Sequence, residues 1–268
     1  MSGTPDAEGV PARTAAHGPD LSTVLGKVVV ILQAFTAEDA SLQFAELQRR
    51  TGLTKGTLHR VTGDLVAARL LDRTDGKYRL SGLMFELGMR ASVERTLLEV
   101  AIPFLEDLYE HTHETVHLGL REGLEVVYVA KIGGHQQARS PSRIGGRMPL
   151  HATAIGKTLL AHAPKDIQET ILHAPLNRFA PRTVTSSQVL RAQLDAVVET
   201  GVAFEHEESA VGIVCVAAPV FDTHDEVVAA VSATGPVTRF HPAKHAASVQ
   251  AAAAGITSIL GRRVAWHE

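Results

Sequence analysis

The sequence predicts an α+β protein: an N-terminal winged helix-turn-helix, a linker helix, and a C-terminal α/β domain with a largely antiparallel sheet. Three observations predict it. Before residue 70, apolar residues recur at helical spacing in three short stretches, and an Asp75-Gly76 tight-turn signal follows between two extended runs. From Thr115 the period changes to alternation, and later to Val-rich runs separated by helical patterns. The chain has 268 residues, 45% of them hydrophobic and 21% charged, which suits two folded domains better than one.

Taken in order, residues 1–20 are rich in Gly, Pro, Ala and Thr without periodicity and read as a flexible tail. A first helix is expected over 22–36, capped by Ser22, with Val24, Leu25, Val28, Ile31, Leu32 and Phe35 at helical spacing. A second is expected from a Ser41 cap, with Leu42, Phe44, Ala45 and Leu47 inward, ending near Gly52 at a left-handed stop. Thr54 caps a third helix with Leu58, Val61 and Leu65 on one face. The hairpin around Asp75-Gly76 completes the winged domain, 21–81. Residues 82–100 read as the linker helix, whose apolar Met84, Phe85 and Met89 suit pairing with a second chain. Pro103 is expected to start or kink the next helix, which runs to about His113.

The C-terminal domain is expected over 101–264. Val116, Leu118 and Leu120 alternate as in a half-buried strand, Glu122-Gly123 turns, and Val126–Ile132 reads as the hairpin partner. Residues 154–162, 164–173, 186–200 and about 242–262 look helical, and Val211–Phe221 and Val227–Ala233 look like strands.

Charge and composition narrow the function. The net charge of −3 hides an asymmetry: residues 21–80 carry nine basic and six acidic side chains, while the remainder is negative. A positive head on a negative body is a plausible layout for DNA binding. No apolar run is long enough to span a membrane and no signal-peptide pattern opens the chain, so a soluble, cytoplasmic protein is expected. The single cysteine, Cys215, excludes an internal disulfide and fits a reducing compartment.

A recognition helix needs an apolar face against its own domain and short polar or basic side chains outward near its start. The stretch Thr54–Arg60 supplies both. Leu58 and Val61 face in; Lys55, Thr57, His59 and Arg60 face out. Thr54 and Thr57 suit phosphate hydrogen bonds, Lys55 suits a phosphate charge, and Arg60 has the fork for guanine. Lys77 and Arg79 lie on the wing. Gly56 and Gly63 each cost about 1 kcal/mol in a helix relative to Ala, and suit close approach to DNA or to the second helix.

The chain resembles the IclR family of bacterial transcriptional regulators. The resemblance rests on Gly52–Arg60 with its wing, on Met148–Ala161, and on Glu205-His206-Glu207-Glu208 leading into Gly212–Val220 and Val231–Pro236, in family order over roughly 21–262. It implies a homodimer or homotetramer on a palindromic double-stranded DNA operator, repressing or activating transcription. It also implies a GAF-like effector-binding domain for small carboxylates or aromatic acids. By position, the effector pocket includes Met148, Ala154, Ile155, Glu205, Ile213, Cys215, Ser232 and Thr234. The resemblance also marks departures: many family pockets have Asp at Glu205 and Ser at Thr234, and Ser is commoner at Gly56.

The residues support such a pocket independently. Ala154-Ile155-Gly156-Lys157 opens a helix, where amides bind anions. Ser232 and Thr234 lie one strand period apart, as do Ile213 and Cys215. Other chemistry is missing. Gly156-Lys157-Thr158 has His151 where a phosphate loop needs Gly. No G-x-S-x-G elbow exists, and His151 reads as structural. His111, His113 and His117 near Glu114 are a minor metal option among 14 histidines. No catalytic residue, metal or cofactor is expected. The alternative is a small-molecule-binding or enzymatic α/β domain whose N-terminal helices serve only dimerisation.

Overall fold

The computed structural model describes residues 19–36, 39–88, 90, 92–133 and 140–264. The tail expected over 1–20 and the pairing residue Met89 lie almost wholly outside them. The chain divides into two compact units, with the main boundary in the sequence between Leu80 and Ser81.

In the first unit, α1 (Val24–Gln33), α2 (Phe44–Thr51) and α3 (Lys55–Ala67) pack with the hairpin β2 (Leu71–Thr74) and β3 (Lys77–Leu80). Ile31, Leu47, Leu58, Val61, Leu65, Leu71 and Tyr78 form its core. Asp75 (φ 52°) and Gly76 (φ 75°) are both left-handed, as a two-residue hairpin turn requires. Gly52 ends α2 at φ 67°.

Three local expectations are corrected. Thr23, not Ser22, caps α1: its Oγ1 accepts from the Gly26 amide at 2.9 Å, while the Ser22 hydroxyl turns back to Asp20. Leu42–Gln43 is not helix but a strand, β1, that pairs with β3 (Leu42 opposite Tyr78) and makes the sheet β1-β3-β2. The Leu42 side chain still reaches the core, so burial is met in an extended backbone. Ala45 is exposed rather than inward.

In the second unit the helix expected over 82–100 is two helices, α4 (Gly82–Gly88) and α5 (Ser92–Thr112). α5 runs straight through Pro103, which neither starts nor ends it. An internal proline costs about 3 kcal/mol. Here Pro103 is exposed, while Leu97, Val100, Ala101, Leu105 and Leu108 are buried. Each of the four leucine and valine side chains returns roughly 1.5–3 kcal/mol, so tertiary burial outweighs the local loss.

The sheet holds β4 (Thr115–Glu122), β5 (Glu125–Ile132), β6 (Arg147–Pro149), β7 (Ala203–His206), β8 (Ile213–Phe221) and β9 (Val227–Pro236), all antiparallel, in the order β6-β5-β4-β9-β8-β7. Period-2 alternation gives it two apolar faces. Val116, Leu118, Val214, Val216 and Val231 pack against α5 and α9 (Pro242–Val264). Tyr128, Cys215, Ala217 and Ala230 pack against α6 (Ala154–Ala161), with α7 (Lys165–His173) and α8 (Ser187–Thr200) outside it. The short strands β6 and β7 carry no alternation long enough to read in the sequence.

Every residue of α6 is buried. Thr153 caps it, accepting from the Gly156 amide at 2.9 Å. Gly156 is needed there for close approach: a Cβ would collide with the Leu150 carbonyl oxygen and, at 2.6 Å, with Thr153 Oγ1.

Candidate functional site

The first candidate site is the outer face of α3. Thr54 stands in extended backbone ahead of the helix, and its hydroxyl is 3.0 Å from that of Thr57 and accepts from the Thr57 amide at 3.4 Å. Lys55, His59 and Arg60 are exposed and Thr57 is half-buried, while Leu58, Val61 and Leu65 are buried beneath them. Arg60 pairs with Asp64 at 3.7 Å, one turn on. The His59 ring lies 6.3 Å from that of Phe44. On the wing, Lys77 is exposed, and Arg79 donates to its cross-strand partner Asp72 at 3.1 Å. Sequence reading passed over Arg73, whose guanidinium lies 5.5 Å from the Tyr78 ring centroid.

A Cβ added at Gly56 or Gly63 would meet nothing within 4 Å, so neither glycine is needed for packing against α2. Gly56→Ala and Gly63→Ala should each raise the stability of this unit by about 0.5–1 kcal/mol. Urea unfolding of the two variants against wild type checks this; a loss of stability would mean the backbone there is under a constraint the packing does not reveal.

The second candidate site lies on the α6-facing side of the large sheet. Cross-strand register places the residues of four strands in rows. One row is Glu205, Cys215, Thr234 and Thr115; the next is Ala203, Ala217, Ser232 and His117. Of the eight expected pocket residues, Glu205, Cys215, Ser232 and Thr234 thus stand together, each at most 5% exposed. Ala154 and Ile155 cover the same face from the start of α6, where their amides have no intrahelical acceptor. Ile213 is buried at the start of β8, on the Cys215 side by parity. Met148 is half-buried on β6, at the opposite edge of the sheet. Met148 and Ser209, which follows β7, nonetheless line one cleft, so the sheet curls around α6.

Burial sets the electrostatics here. Enclosure, with the Glu208 carboxylate adding to it, pushes the Glu205 carboxyl up to about 7 against the opposing hydrogen bonds from Ser209. Burial likewise pushes the Cys215 thiol up to about 12, and the Thr234 hydroxyl donates to its sulfur at 2.9 Å. The thiol is a packed group with no activation toward nucleophilic attack.

Two participants were missed from sequence. His117 is 2% exposed; its Nε2 lies 2.7 Å from Ser142 Oγ and its Nδ1 3.4 Å from Ser232 Oγ. Burial, with Lys131 beside it, drops its pKa to about 3, so the imidazole is neutral. Tyr128 packs edge-on to it at 5.1 Å. The signal was available: His117 falls in phase with Thr115, among the apolar or small residues Val116 and Leu118–Leu120. The other is Lys157, 1% exposed, whose Nζ donates to Glu208 Oε1 at 2.7 Å and to Gln193 Oε1 at 3.0 Å.

The histidines near Glu114 do not converge. His111 binds the Asp107 carbonyl, His113 stands against Tyr109, and Arg239 takes both Glu114 oxygens at 2.8 and 3.0 Å. Among the described residues, no group of three or more His, Cys, Asp or Glu side chains is arranged to hold a metal ion. His151 is buried, with Nε2 3.0 Å from the Asn177 carbonyl. No helix of the described residues is long and apolar enough to cross a membrane.

Comparison with known proteins agrees over both domains. Residues 24–75 match the IclR helix-turn-helix domain family, and residues 89–258 match the bacterial transcriptional regulator IclR C-terminal family. The HTH-type transcriptional regulator KdgR of Escherichia coli is 36% identical over 225 residues, covering 83% of this chain and 85% of its own. The regulator XynR of the same species is 34% identical over 221 residues, covering 81% and 88%. Among solved structures, an IclR homologue from Microbacterium hydrocarbonoxydans complexed with 4-hydroxybenzoate superposes with a TM-score of 0.84 at 30% identity, over 89% of this chain and 99% of that one. With both domain families matched in order and its relatives regulators rather than enzymes, the chain belongs to the IclR family: it is a DNA-binding transcriptional regulator with a ligand-binding C-terminal domain.

Proposed function

We propose that the chain is an effector-responsive regulator working in the cytoplasm as a homodimer or homotetramer on a palindromic operator. Its functional domains are 21–81 for DNA, 82–100 for pairing protomers, and 101–264 for the effector. Each protomer sets α3 in a major groove. Arg60 forks to a base, Lys55, Thr54 and Thr57 hold phosphates, His59 lies along the groove wall, and Lys77 and Arg79 of the wing meet the backbone. The effector is a small carboxylate or aromatic acid.

The observation that carries this reading is the buried pair of rows that brings Glu205, Cys215 and Thr234 next to Ser232 under the start of α6. A carboxylate there meets the Ala154 and Ile155 amides and the Ser232 and Thr234 hydroxyls, and an apolar body meets Ile155, Ile213 and Met148. Enclosure favours the protonated form of Glu205, which donates to an acid instead of repelling it. That a structural relative is complexed with 4-hydroxybenzoate supports the same ligand class. Effector binding alters operator affinity to the extent that it favours one arrangement of protomers, typically by 1–3 kcal/mol.

Fluorescence anisotropy on the DNA upstream of the chain's own gene, against scrambled DNA and across a salt titration, tests the reading. Selective binding with a steep salt slope is expected. Arg60→Ala should weaken it by about 1–3 kcal/mol, roughly five- to 150-fold, and relax base preference. Unchanged affinity and preference would remove Arg60 from base reading. Equal, weak binding to every DNA tested would overturn the assignment of α3.

A further inference from the structure

The row of Glu205, Cys215 and Thr234 under α6, with Ser232 in the adjacent row, is enclosed: Ser232 is 1% exposed, Glu205 3% and Cys215 4%. A ligand that reaches it has to displace something. Behind the row lies the hydrogen-bonded sheet, backed by the α5 and α9 core. Above it lies α6, buried along its whole length. The remaining wall is different in kind. A cleft of about 410 Å³ approaches the row from outside, lined by Met148, His151, Leu176, Phe179 and Ser209 among others. That volume is in the range of small-molecule sites.

Ser209 lies in the turn between β7 and β8. Its amide donates to Glu205 Oε1 at 3.0 Å and its hydroxyl donates to the same oxygen. Glu205 is the direct cross-strand partner of Cys215. One layer, the Ser209–Glu205 contact, therefore separates the cleft from the centre of the row. The turn itself is anchored next to Ser209 by the buried Lys157–Glu208 pair and by the Thr183 hydroxyl, which donates to the Glu208 carbonyl. Releasing the Ser209 side chain alone costs hydrogen bonds that water replaces, whereas moving the rest of the turn, the sheet or α6 would break a buried ion pair or open a packed core. On the other flank, Met148 is a flexible, half-buried side chain that yields easily.

We infer that this cleft is the mouth of the buried site, and that the Ser209–Glu205 contact closes it. The mouth admits small molecules with an apolar body, which slides along Met148, Leu176 and Phe179 while the polar head exchanges Ser209 for itself at Glu205. This rests on the reading of the row as the effector site, but it can be tested without any effector.

Cys215 is the sole cysteine and sits behind the closing contact. Methyl methanethiosulfonate is small and uncharged. The Cys215 thiolate attacks its divalent sulfur and expels methanesulfinate, leaving a methyl disulfide that mass spectrometry counts. The rate on the full-length native protein reads access to the row. Ser209→Ala removes one hydrogen bond to a carboxyl group and should raise the rate about tenfold. Phe179→Ala, at a half-exposed position where folding is not at stake, should also raise it. Met148→Trp, which fills the cleft, should lower it. Rates should not change with urea below the unfolding transition, as local opening requires. Equal rates in wild type, Ser209→Ala and Phe179→Ala, or rates that simply track global unfolding, would overturn the inference. Where access follows the variants but no small acid alters operator binding, the mouth stands and the effector reading fails. Where an acid alters operator binding but the variants leave access unchanged, the reverse holds.

Discussion

Lys157→Met is expected to destabilise the C-terminal unit by about 3–5 kcal/mol, the usual effect of leaving a buried charge without its partner. The side chains of Lys157 and Glu208 are 2% and 6% exposed, and their ion pair is 2.7 Å long. Glu208 Oε1 also accepts from the His206 amide, but its Oε2 has no hydrogen-bond partner in the described structure. Without Lys157 that carboxylate keeps little to compensate its lost hydration. The double variant Lys157→Met/Glu208→Gln removes both charges and should recover most of the loss. Chemical unfolding of the two singles and the double makes a cycle. Additive losses would show that the two groups do not act as a pair.

The second large effect is a pair of opposed pH dependences. Glu205 releases its proton near 4.5 when unfolded and near 7 in the fold. Between those values the folded state binds more protons, so its contribution to stability is full below about 4.5 and declines as pH rises. The slope is up to about 1.4 kcal/mol per pH unit, roughly 3 kcal/mol in all. His117 runs the other way, with an ordinary pKa of 6.5 and a folded value near 3. Its contribution is full above 6.5 and is lost as pH falls through that window, at a similar slope. From about 4.5 to 6.5 the two nearly cancel in wild type. Glu205→Gln should therefore show stability rising with pH across that window, and at pH 8 should exceed wild type by up to about 3 kcal/mol. His117→Gln should show stability falling with pH. Groups common to all three proteins drop out of the differences. A Glu205→Gln minus wild-type difference that is flat with pH would refute the assignment.

Much of this was legible in the sequence, and the exceptions have physical causes. The helices whose apolar period matched their burial (α3, α7 and α8) and the hairpin at Asp75-Gly76 read directly from pattern and turn chemistry. Failures came where long-range pairing overrode local preference. Leu42–Gln43 became a strand because Tyr78 and Lys77 stood ready to pair with it. Pro103 sits inside α5 because the opposite side of that helix is buried. In the candidate ligand site, the Ser232/Thr234 and Ile213/Cys215 spacings could be read from strand period. The alignment of Glu205 with Cys215 and Thr234 could not, since register across three strands is written in no single segment. His117 went unread as a partner of Ser232 for the same reason, and Lys157 because a helical lysine reads as exposed until its partner is known.

The strand order has a consequence for how the protein comes into being. β4 and β5 form one hairpin early in the chain, and β8 and β9 another near its end; the seam that joins them pairs Thr115 with Thr234. During synthesis the free edge of β4 leaves the ribosome long before the strand that will cover it has been made. A bare edge of this kind invites pairing with other chains, and closing so distant a contact is slow. Until translation passes residue 236 the nascent regulator has no complete β9 to join its two hairpins, and the polar rows under α6 are assembled last.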